Sequence, residues 1–167
     1  IEDGLEISRQ MICTEYSDLQ LRYISTGKRV GRAKAGNLGM KVAQGKYLNF
    51  LDDDDVLYPE HIEILLQTLQ SAEEKAVYSV AEEAAAIYRK RKRTFYDVRK
   101  KVRFREPFNR MYLLHTNYLP IQSVMFEKSL FEQYGGFREN VDYLEDWDLW
   151  VRYAAHTNFK MVNEITS

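Results

Sequence analysis

Four consecutive aspartates, Asp52–Asp55, follow directly on the short and mostly apolar run Tyr47–Leu51. In an open α/β sheet, ligands bind at the carboxyl ends of the strands, which is where these side chains are expected to lie. Asp52 and Asp54 project to one side of an extended segment, and ionised oxygen ligands suit Mg²⁺ or Mn²⁺. The run therefore predicts a cation site. The alternative is a capping cluster, in which one aspartate caps a helix that opens at Pro59.

The segments around this run alternate between strand and helix patterns. Alternating apolar and polar residues predict strands, whereas apolar residues at every third or fourth position predict helices. The first half predicts a helix at 5–17, a strand at 19–24, a helix at 32–44, a helix from Pro59 with Ile62, Leu65, Leu66 and Leu69 buried, and a strand at 76–80. The second half predicts a strand at 118–126, helices at 129–134 and 145–156, and a strand at 159–165. Strands that alternate with helices of roughly 12 residues predict an α/β fold with parallel strands.

Charge is distributed unevenly along the chain. Of the 24 basic residues, ten lie within residues 89–105, where Asp97 alone opposes them and the net charge is +9. The other 150 residues therefore carry −10. Opposite fields on one domain predict an acidic site for a metal and a basic segment that meets phosphates or lipid headgroups. The alternative for the basic segment, which also has the alternation of a β-hairpin, is a solvated loop.

A second acidic segment, Leu144–Trp150, places three carboxylates and two tryptophans at the start of the last predicted helix. The helix dipole favours ionised carboxylates there, and one of them can serve as a general base beside an aromatic face for a sugar ring. The alternative is helix capping with both tryptophans in the core, and for Trp150 the core is favoured. Asn117 is a candidate for lining the same pocket.

Length and composition limit the remaining classes of protein. With 167 residues, 45% of them hydrophobic and 13% aromatic, the chain suits one folded domain and is neither disordered nor collagen-like. The single cysteine, Cys13, excludes a disulfide framework and is typical of a reducing compartment. No apolar run approaches the ~18 residues that span a bilayer. The formal charge of −1 argues against a nucleic-acid partner.

An ordered set of motifs resembles one known family. The segments Arg32–Gly39, Ala43–Asp55 with Pro59, Gly135–Phe137 and Glu145–Trp147 closely resemble, in this order, the motifs of family 2 glycosyltransferases of the GT-A fold. The resemblance covers nearly the whole chain. It implies a Rossmann-like mixed sheet flanked by helices, incomplete at the N-terminus because the family's first strand has no counterpart here. It also implies a nucleotide-sugar and metal-binding half at 1–80, a variable basic segment at 81–110 and an acceptor half with the catalytic base at 111–167.

The resemblance further implies a role for each matching residue. Asp146 matches the catalytic base of inverting members, which transfer a sugar from a nucleotide-sugar donor to an acceptor hydroxyl. Asp52 and Asp54 match the Asp-x-Asp motif and are expected to hold Mn²⁺ or Mg²⁺ on the donor diphosphate. The expected donor contacts are Asp3, Lys34, Asn37, Asp52 and Asp53, and the expected acceptor contacts are Gly136, Glu145 and Trp147.

One departure concerns Gly36, which stands where many members have arginine in an Ala-Arg-Asn motif. The contact expected from that arginine must come from elsewhere, and Lys34 is the candidate.

The basic segment 89–105 is expected to meet an anionic membrane surface or a lipid-linked saccharide acceptor that bears phosphate. The protein is then expected to be cytoplasmic, at the inner face of the cell membrane, in bacterial cell-surface polysaccharide or glycolipid synthesis. The alternatives are a sugar-phosphate nucleotidyltransferase and a catalytically degenerate domain that binds nucleotide sugar or membrane.

Overall fold

The structure is a computed structural model that describes residues 20–89, 94–141 and 143–167. Asp3, Cys13 and the helix predicted at 5–17 lie outside this part of the chain. The helices that it describes are α1 (Arg32–Val42), α2 (His61–Ser71), α3 (Arg110–Leu113), α4 (Lys128–Tyr134) and α5 (Glu145–Ala154), with a 3₁₀ turn at Ile121–Ser123. No helix in these ranges is long and apolar enough to cross a membrane.

The strands form a mixed sheet. They are β1 (Tyr47–Asn49), β2 (Ala76–Arg89), β3 (Thr94–Phe104), β4 (Val124–Glu127) and β5 (Phe159–Ile165). In the body of the domain the order is β1-β4-β2-β5; β4 runs antiparallel to both neighbours, and β2 and β5 run parallel. The expectation of parallel strands is thus wrong for most of these pairs, because alternation within a strand does not encode the direction of its neighbour. The mixed sheet is the one that the family resemblance implies.

Strand β2 takes part in two separate pairings. Its first residues, up to Val80, lie between β4 and β5 and are buried. From Ala81 onward it leaves the body and pairs antiparallel with β3, as far as the pair Arg89–Thr94. The strand predicted at 76–80 therefore continues for nine more residues, and the alternation in the basic segment does form a hairpin. We call the paired residues 81–89 and 94–104 the hairpin.

An aromatic core holds α5 against one face of the sheet. Trp150 lies 5.7 Å from Phe126 and 6.0 Å from Phe159 between ring centroids, and Tyr153 lies 5.4 Å from Phe126. All four side chains are at most 2% exposed. Burying one such side chain stabilises a fold by about 1.5–3 kcal/mol. The start of α5, where the second acidic segment lies, is therefore anchored firmly to the sheet.

Helix α2 covers the opposite face through Leu65 and Leu69. Its buried positions are spaced by four residues, beginning at His61, so the predicted core residue Ile62 turns outward and is 47% exposed.

Two predicted strands differ from the structure. Residues 20–24 are irregular, because alternation alone does not supply a neighbouring strand. The strand predicted from residue 118 begins only at Val124, because Pro120 lacks a backbone donor and the 3₁₀ turn follows it.

Candidate active site

The aspartate run forms a turn just after β1, in which the Asp55 amide donates to the Asp52 carbonyl at 3.2 Å. The turn brings one carboxylate oxygen each from Asp52, Asp54 and Asp55 within 4.8 Å of one another. Oxygen ligands gathered in this way fit a hard cation such as Mn²⁺ or Mg²⁺. The cluster contains both predicted metal ligands and adds Asp55, whereas Asp53 lies outside it and is exposed. We call Asp52–Asp55 the aspartate turn.

The capping interpretation of this run is wrong. The residue at the N-cap of α2 is Glu60, and no side chain makes a capping hydrogen bond there. The carboxylates of the turn instead repel one another. Burial and the carboxylates of Asp54 and Asp52 raise the pKa of Asp55, and Arg32 opposes the rise. Crowded carboxylates of this kind favour either a bound proton or a bound cation.

The second acidic segment opens α5 in a constrained backbone conformation. Leu144, at the N-cap, has a φ of 61°, and Glu145, Asp146 and Asp148 follow in the first turn. A left-handed conformation costs a residue with a branched side chain about 1–2 kcal/mol. The packing of α5 against the sheet offsets this cost. The carboxylates that follow Leu144 are therefore held in a fixed direction.

Each carboxylate in the first turn of α5 has its own partner. Asn117 donates from Nδ2 to Asp146 Oδ2 at 2.9 Å, which leaves Oδ1 of Asp146 outside that bond. Asp148 pairs with Arg138 at 3.1 Å and with Arg152 at 2.9 Å. Asn117 thereby orients the predicted catalytic base, whereas Asp148 is taken up by ion pairs with two guanidinium groups.

Arg32 joins the two acidic segments. Its Nη2 lies 2.8 Å from Asp52 Oδ2 in the aspartate turn, and its Nε lies 3.1 Å from Glu145 Oε1 at the start of α5. The Glu145 side chain is 8% exposed, so its charge is largely withdrawn from water and Arg32 compensates it. One side chain on α1 therefore bridges a predicted metal ligand and the residue before the predicted base.

Asn37 and Gly136 lie against each other. The Asn37 amide group donates to the Phe137 carbonyl at 2.9 Å and accepts from the Phe137 amide at 2.8 Å. A Cβ atom on Gly136 would come within 2.1 Å of Asn37 Oδ1. Both residues thus tie α1 to the loop before α5, and their predicted contacts with donor and acceptor stay predictions.

The same contact explains the departure at Gly36. A Cβ atom there would lie 2.5 Å from the Phe137 ring, so an arginine at this position is incompatible with Phe137 where it lies. Lys34, the candidate substitute, is exposed. The cation that reaches the aspartate turn is Arg32, one helical turn before Gly36.

The two tryptophans of α5 differ in their surroundings. Trp150 is fully buried and donates from Nε1 to the Leu119 carbonyl at 3.0 Å, so its core interpretation is confirmed. Trp147 is half-buried and donates to the Leu113 carbonyl at 2.6 Å. Its indole nitrogen is therefore already satisfied by the protein, and any contact with an acceptor falls to the ring.

A polar network joins Tyr58, which follows the aspartate turn, to the base of the hairpin. Tyr58, three residues after Asp55, donates its hydroxyl proton to Glu82, and Lys100 donates to the Tyr58 hydroxyl at 2.9 Å and lies 3.2 Å from Glu82. The hydrogen bond to Tyr58, followed by the one to Glu82, raises the pKa of Lys100 to about 12. The hairpin base is thus tied to the segment that follows the turn.

Comparison with known proteins identifies the family. The sequence model of glycosyl transferase family 2 matches residues 3–135. The chain belongs to glycosyl transferase family 2. It is thus a transferase domain, and the match covers the aspartate turn and the α1 residues that contact it.

Relatives in this family extend the match beyond residue 135. The chain is 30% identical over 148 residues to the uncharacterized glycosyltransferase YwdF of Bacillus subtilis, covering 88% of this chain and 53% of that protein. An uncharacterized glycosyltransferase of Rickettsia prowazekii is 28% identical over 173 residues, covering 99% of this chain and 51% of that protein. The chain spans about half the length of these relatives.

The fold also matches that of a solved structure. The crystal structure of S. aureus TarS 1-349 superposes with a TM-score of 0.68 at 15% identity, over 98% of this chain and 46% of that one. The domain therefore has the GT-A fold, as the motifs implied.

Arg32 is the site residue that the sequence reasoning missed. Lys34, the candidate from the sequence, is two positions from Gly36, and residues two positions apart point in different directions on a helix. Positions 32 and 36 are four residues apart and lie on the same face of α1. Helical spacing would therefore have indicated Arg32.

Proposed function

We propose that this domain transfers a sugar from a nucleotide-sugar donor to an acceptor hydroxyl with inversion at the anomeric carbon, using a divalent cation. The observation that supports it is the link through Arg32, which connects a cluster of crowded carboxylates with the helix turn that carries the oriented carboxylate of Asp146. A transfer of this kind needs these two parts: charge stabilisation for a departing diphosphate and a base for the attacking hydroxyl.

Asp146 is the proposed base. Its carboxylate accepts the proton of the acceptor hydroxyl as that oxygen forms the new bond to the anomeric carbon. The bond from that carbon to the diphosphate oxygen breaks on the opposite face, and the electron pair leaves with the nucleoside diphosphate. The hydrogen bond from Asn117 occupies Oδ2 and so presents Oδ1 to the hydroxyl.

Asp52, Asp54 and Asp55 are the proposed ligands of Mn²⁺ or Mg²⁺, because their oxygens are close enough to share one ion. A bound divalent ion stabilises negative charge on the leaving diphosphate. Asp53, exposed beside this cluster, remains a proposed donor contact together with Lys34 and Asn37. Glu145 and Gly136 are proposed to serve the acceptor side by fixing the start of α5 and the loop before it, and Trp147 by offering its ring.

The donor site is tested by thermal unfolding of the full-length protein with nucleoside diphosphates, with and without Mn²⁺. A ligand at 100 times its Kd stabilises by about 2.7 kcal/mol, which corresponds to a rise in Tm of roughly 5–10 °C for a domain of this size. We expect the rise to require Mn²⁺ and to disappear in Asp54→Ala.

The matched control is Glu73→Ala, which removes an exposed carboxylate on the loop between α2 and β2. It should keep the full rise. Equal rises in wild type and Asp54→Ala would overturn the proposed cation site.

We also propose that the domain acts in cell-surface polysaccharide or glycolipid synthesis and that the hairpin meets an anionic membrane surface. Within the described chain, Lys100 and Arg103 are paired with Glu82 and Glu83, whereas Arg99, Lys101 and Arg105 are exposed and make no ion pair. A basic side chain close to an anionic bilayer contributes about 1 kcal/mol.

Flotation with vesicles of anionic lipid tests this surface. Changing Arg99, Lys101 and Arg105 together to Gln should weaken binding strongly, and about 3 kcal/mol corresponds to a loss of roughly 100-fold. Raising the salt concentration should have the same effect on the wild type. Binding that is unchanged by both treatments would exclude the hairpin as a membrane contact.

A further inference from the structure

Hydrogen bonds tie the chain to neighbouring elements on both sides of the aspartate turn. Upstream, Asn49 at the end of β1 donates from Nδ2 to the carbonyls of Gln122 and Val124, at 2.9 Å each. Downstream, the Tyr58 amide donates to the carbonyl of Thr166 at 2.8 Å. Because crowded carboxylates repel one another, the turn depends on these ties to keep its shape.

Thr166, directly after β5, holds the downstream side twice. Besides accepting from the Tyr58 amide at its carbonyl, it places Oγ1 2.7 Å from Nδ1 of His61, the first residue of α2. The His61 amide in turn donates to the Tyr58 carbonyl at 3.0 Å. One residue thus closes a small ring of hydrogen bonds around residues 58–61, the segment that leads from the turn into α2.

Thr166 is itself fixed in the core. Its amide donates to the Val80 carbonyl at 3.2 Å, and its hydroxyl donates to Ser79 Oγ at 2.6 Å. Thr166, Ser79 and His61 are each at most 2% exposed, so water does not readily replace a hydrogen bond lost among them. The Thr166 hydroxyl therefore connects the core part of β2 with the start of α2.

We propose that Thr166 is a positioning residue for the cation site. The inference rests on the proposed function, in which Asp54 and Asp55 bind the ion, and Thr166 acts on them through the segment that it holds. Without the hydroxyl, the buried Nδ1 of His61 loses its bond, and the segment that begins at Tyr58 is released on one side. The carboxylates then move apart under their own repulsion. A cation has to gather them again, which lowers its affinity.

The test compares valine substitutions at two threonines. Thr166→Val removes the hydroxyl but keeps the shape and the backbone carbonyl, and Thr166→Ser keeps the hydroxyl. The matched control is Thr68→Val on α2, because the Thr68 hydroxyl donates to the Ile64 carbonyl at 2.8 Å within the helix. Mn²⁺ titration followed by electron paramagnetic resonance measures the affinity of the full-length protein, and denaturant unfolding measures the stability of each variant.

We expect Thr166→Val to weaken Mn²⁺ binding by about 10-fold, the lower end of the loss when an outer partner of a metal site is removed. Thr166→Ser should keep most of the affinity, and Thr68→Val should keep all of it even where it lowers stability. Sugar transfer by Thr166→Val should fall at limiting Mn²⁺ and return close to the wild-type kcat at saturating Mn²⁺. A purely structural role would lower stability without this dependence on the metal.

Ser79→Ala is a second variant, since it removes the partner of the Thr166 hydroxyl and leaves Thr166 in place. It should weaken Mn²⁺ binding in the same direction, and it decides the question if Thr166→Val does not fold. Mn²⁺ affinity that is unchanged in these variants, or lowered as much in Thr68→Val, overturns the inference.

Hydrogen exchange without metal separates this inference from the proposed function. The Asp55 amide, which donates to the Asp52 carbonyl, should exchange faster in Thr166→Val than in the wild type or in Thr68→Val. If Mn²⁺ does not bind the wild type, the proposed cation site fails, and exchange at Asp55 still decides whether Thr166 positions the turn. Unchanged exchange in both Thr166→Val and Ser79→Ala overturns the inference.

Discussion

The aspartate turn and the first turn of α5 are both rich in carboxylates, but they differ in how far partners compensate the negative charge. In the first turn of α5, all three carboxylates are matched by Arg32, Asn117 or the pair Arg138 and Arg152. In the aspartate turn, Asp52 has Arg32 as its partner, and the other three carboxylates make no ion pair within the described ranges. The carboxylates at the start of α5 are therefore matched by their partners. The aspartate turn carries surplus negative charge.

This difference teaches how to assign roles to acidic runs. A carboxylate that is oriented by neutral or positive partners on an anchored helix is suited to accept a proton from one direction. Carboxylates that crowd one another on a turn are suited to share a cation, because only added positive charge relieves their repulsion. Substitutions at Asp146 in α5, at Arg32 between the two segments and at His61 after the aspartate turn test this difference.

The largest expected effect is that of Asp146→Asn. The change removes the proton acceptor but keeps the shape of the side chain and its contact with Asn117, so sugar transfer should fall by about 10²–10⁴-fold with nucleoside diphosphate binding nearly intact. Steady-state transfer assays and calorimetry measure the two quantities. Asp148→Asn is the control, and it should lower stability through its lost ion pairs while leaving the chemical step intact. Transfer at wild-type rates in Asp146→Asn would remove Asp146 as the base.

An intermediate effect is expected from Arg32→Gln. The Glu145 carboxylate, 8% exposed, would lose its compensating cation, which lowers the free energy of unfolding by about 1–3 kcal/mol. Asp52 would also lose a competing positive charge, so Mn²⁺ should bind several-fold more tightly, by about 1 kcal/mol. Denaturant unfolding and Mn²⁺ titration followed by electron paramagnetic resonance measure these changes.

Arg32→Lys sharpens the same comparison. A lysine keeps the charge but has one nitrogen, whereas Arg32 uses two nitrogens for two carboxylates. Arg32→Lys should therefore bind Mn²⁺ less tightly than Arg32→Gln does, and it should recover part of the stability that Arg32→Gln loses. If Arg32→Gln changed neither stability nor Mn²⁺ affinity, the two acidic segments would be independent of each other.

The smallest effect concerns His61, at the start of the helix that follows the aspartate turn. This side chain is fully buried, with Nδ1 2.7 Å from Thr166 Oγ1, and burial lowers its pKa. The unfolded chain binds the proton more readily, so stability falls as the pH drops below the unfolded value of about 6.5, by at most about 1.4 kcal/mol per pH unit. The fall ends below the folded-state pKa.

Denaturant unfolding of wild type and His61→Gln between pH 7.5 and 5.5, a range of about two units around the ordinary histidine pKa, measures this contribution. The slope with pH should be smaller in His61→Gln whatever its absolute stability. Identical slopes would show that protonation of His61 does not contribute.

Much of the fold could be predicted from the sequence where a pattern is local. The helix at 32–42, the strand that ends at the aspartate turn and α5 each follow from spacing within a dozen residues. The direction of β4 and the continuation of β2 into the hairpin depend on pairing between distant segments, which no local pattern encodes.

In the candidate site too, local motifs could be predicted from the sequence and contacts between distant residues could not. The aspartate turn and Asp146 were predicted from short motifs, and the family match covers the first of them. The contact of Arg32 with Glu145 joins residues more than a hundred positions apart. It depends on how α1 lies against the loop before α5, where Gly36 leaves space for the Phe137 ring.

Strand β2 runs continuously from the core into the hairpin, so the length of the hairpin sets how far its end lies from the core. Residues 81–89 extend beyond the body by up to about 30 Å, at 3.3–3.4 Å per residue, less what the two register shifts take up in bending. Whatever binds at the last described pair, Arg89 and Thr94, is thereby held at a set height above the core sheet. Inserting or deleting a pair of residues in both strands would change that height in measurable steps, without altering any group at the site.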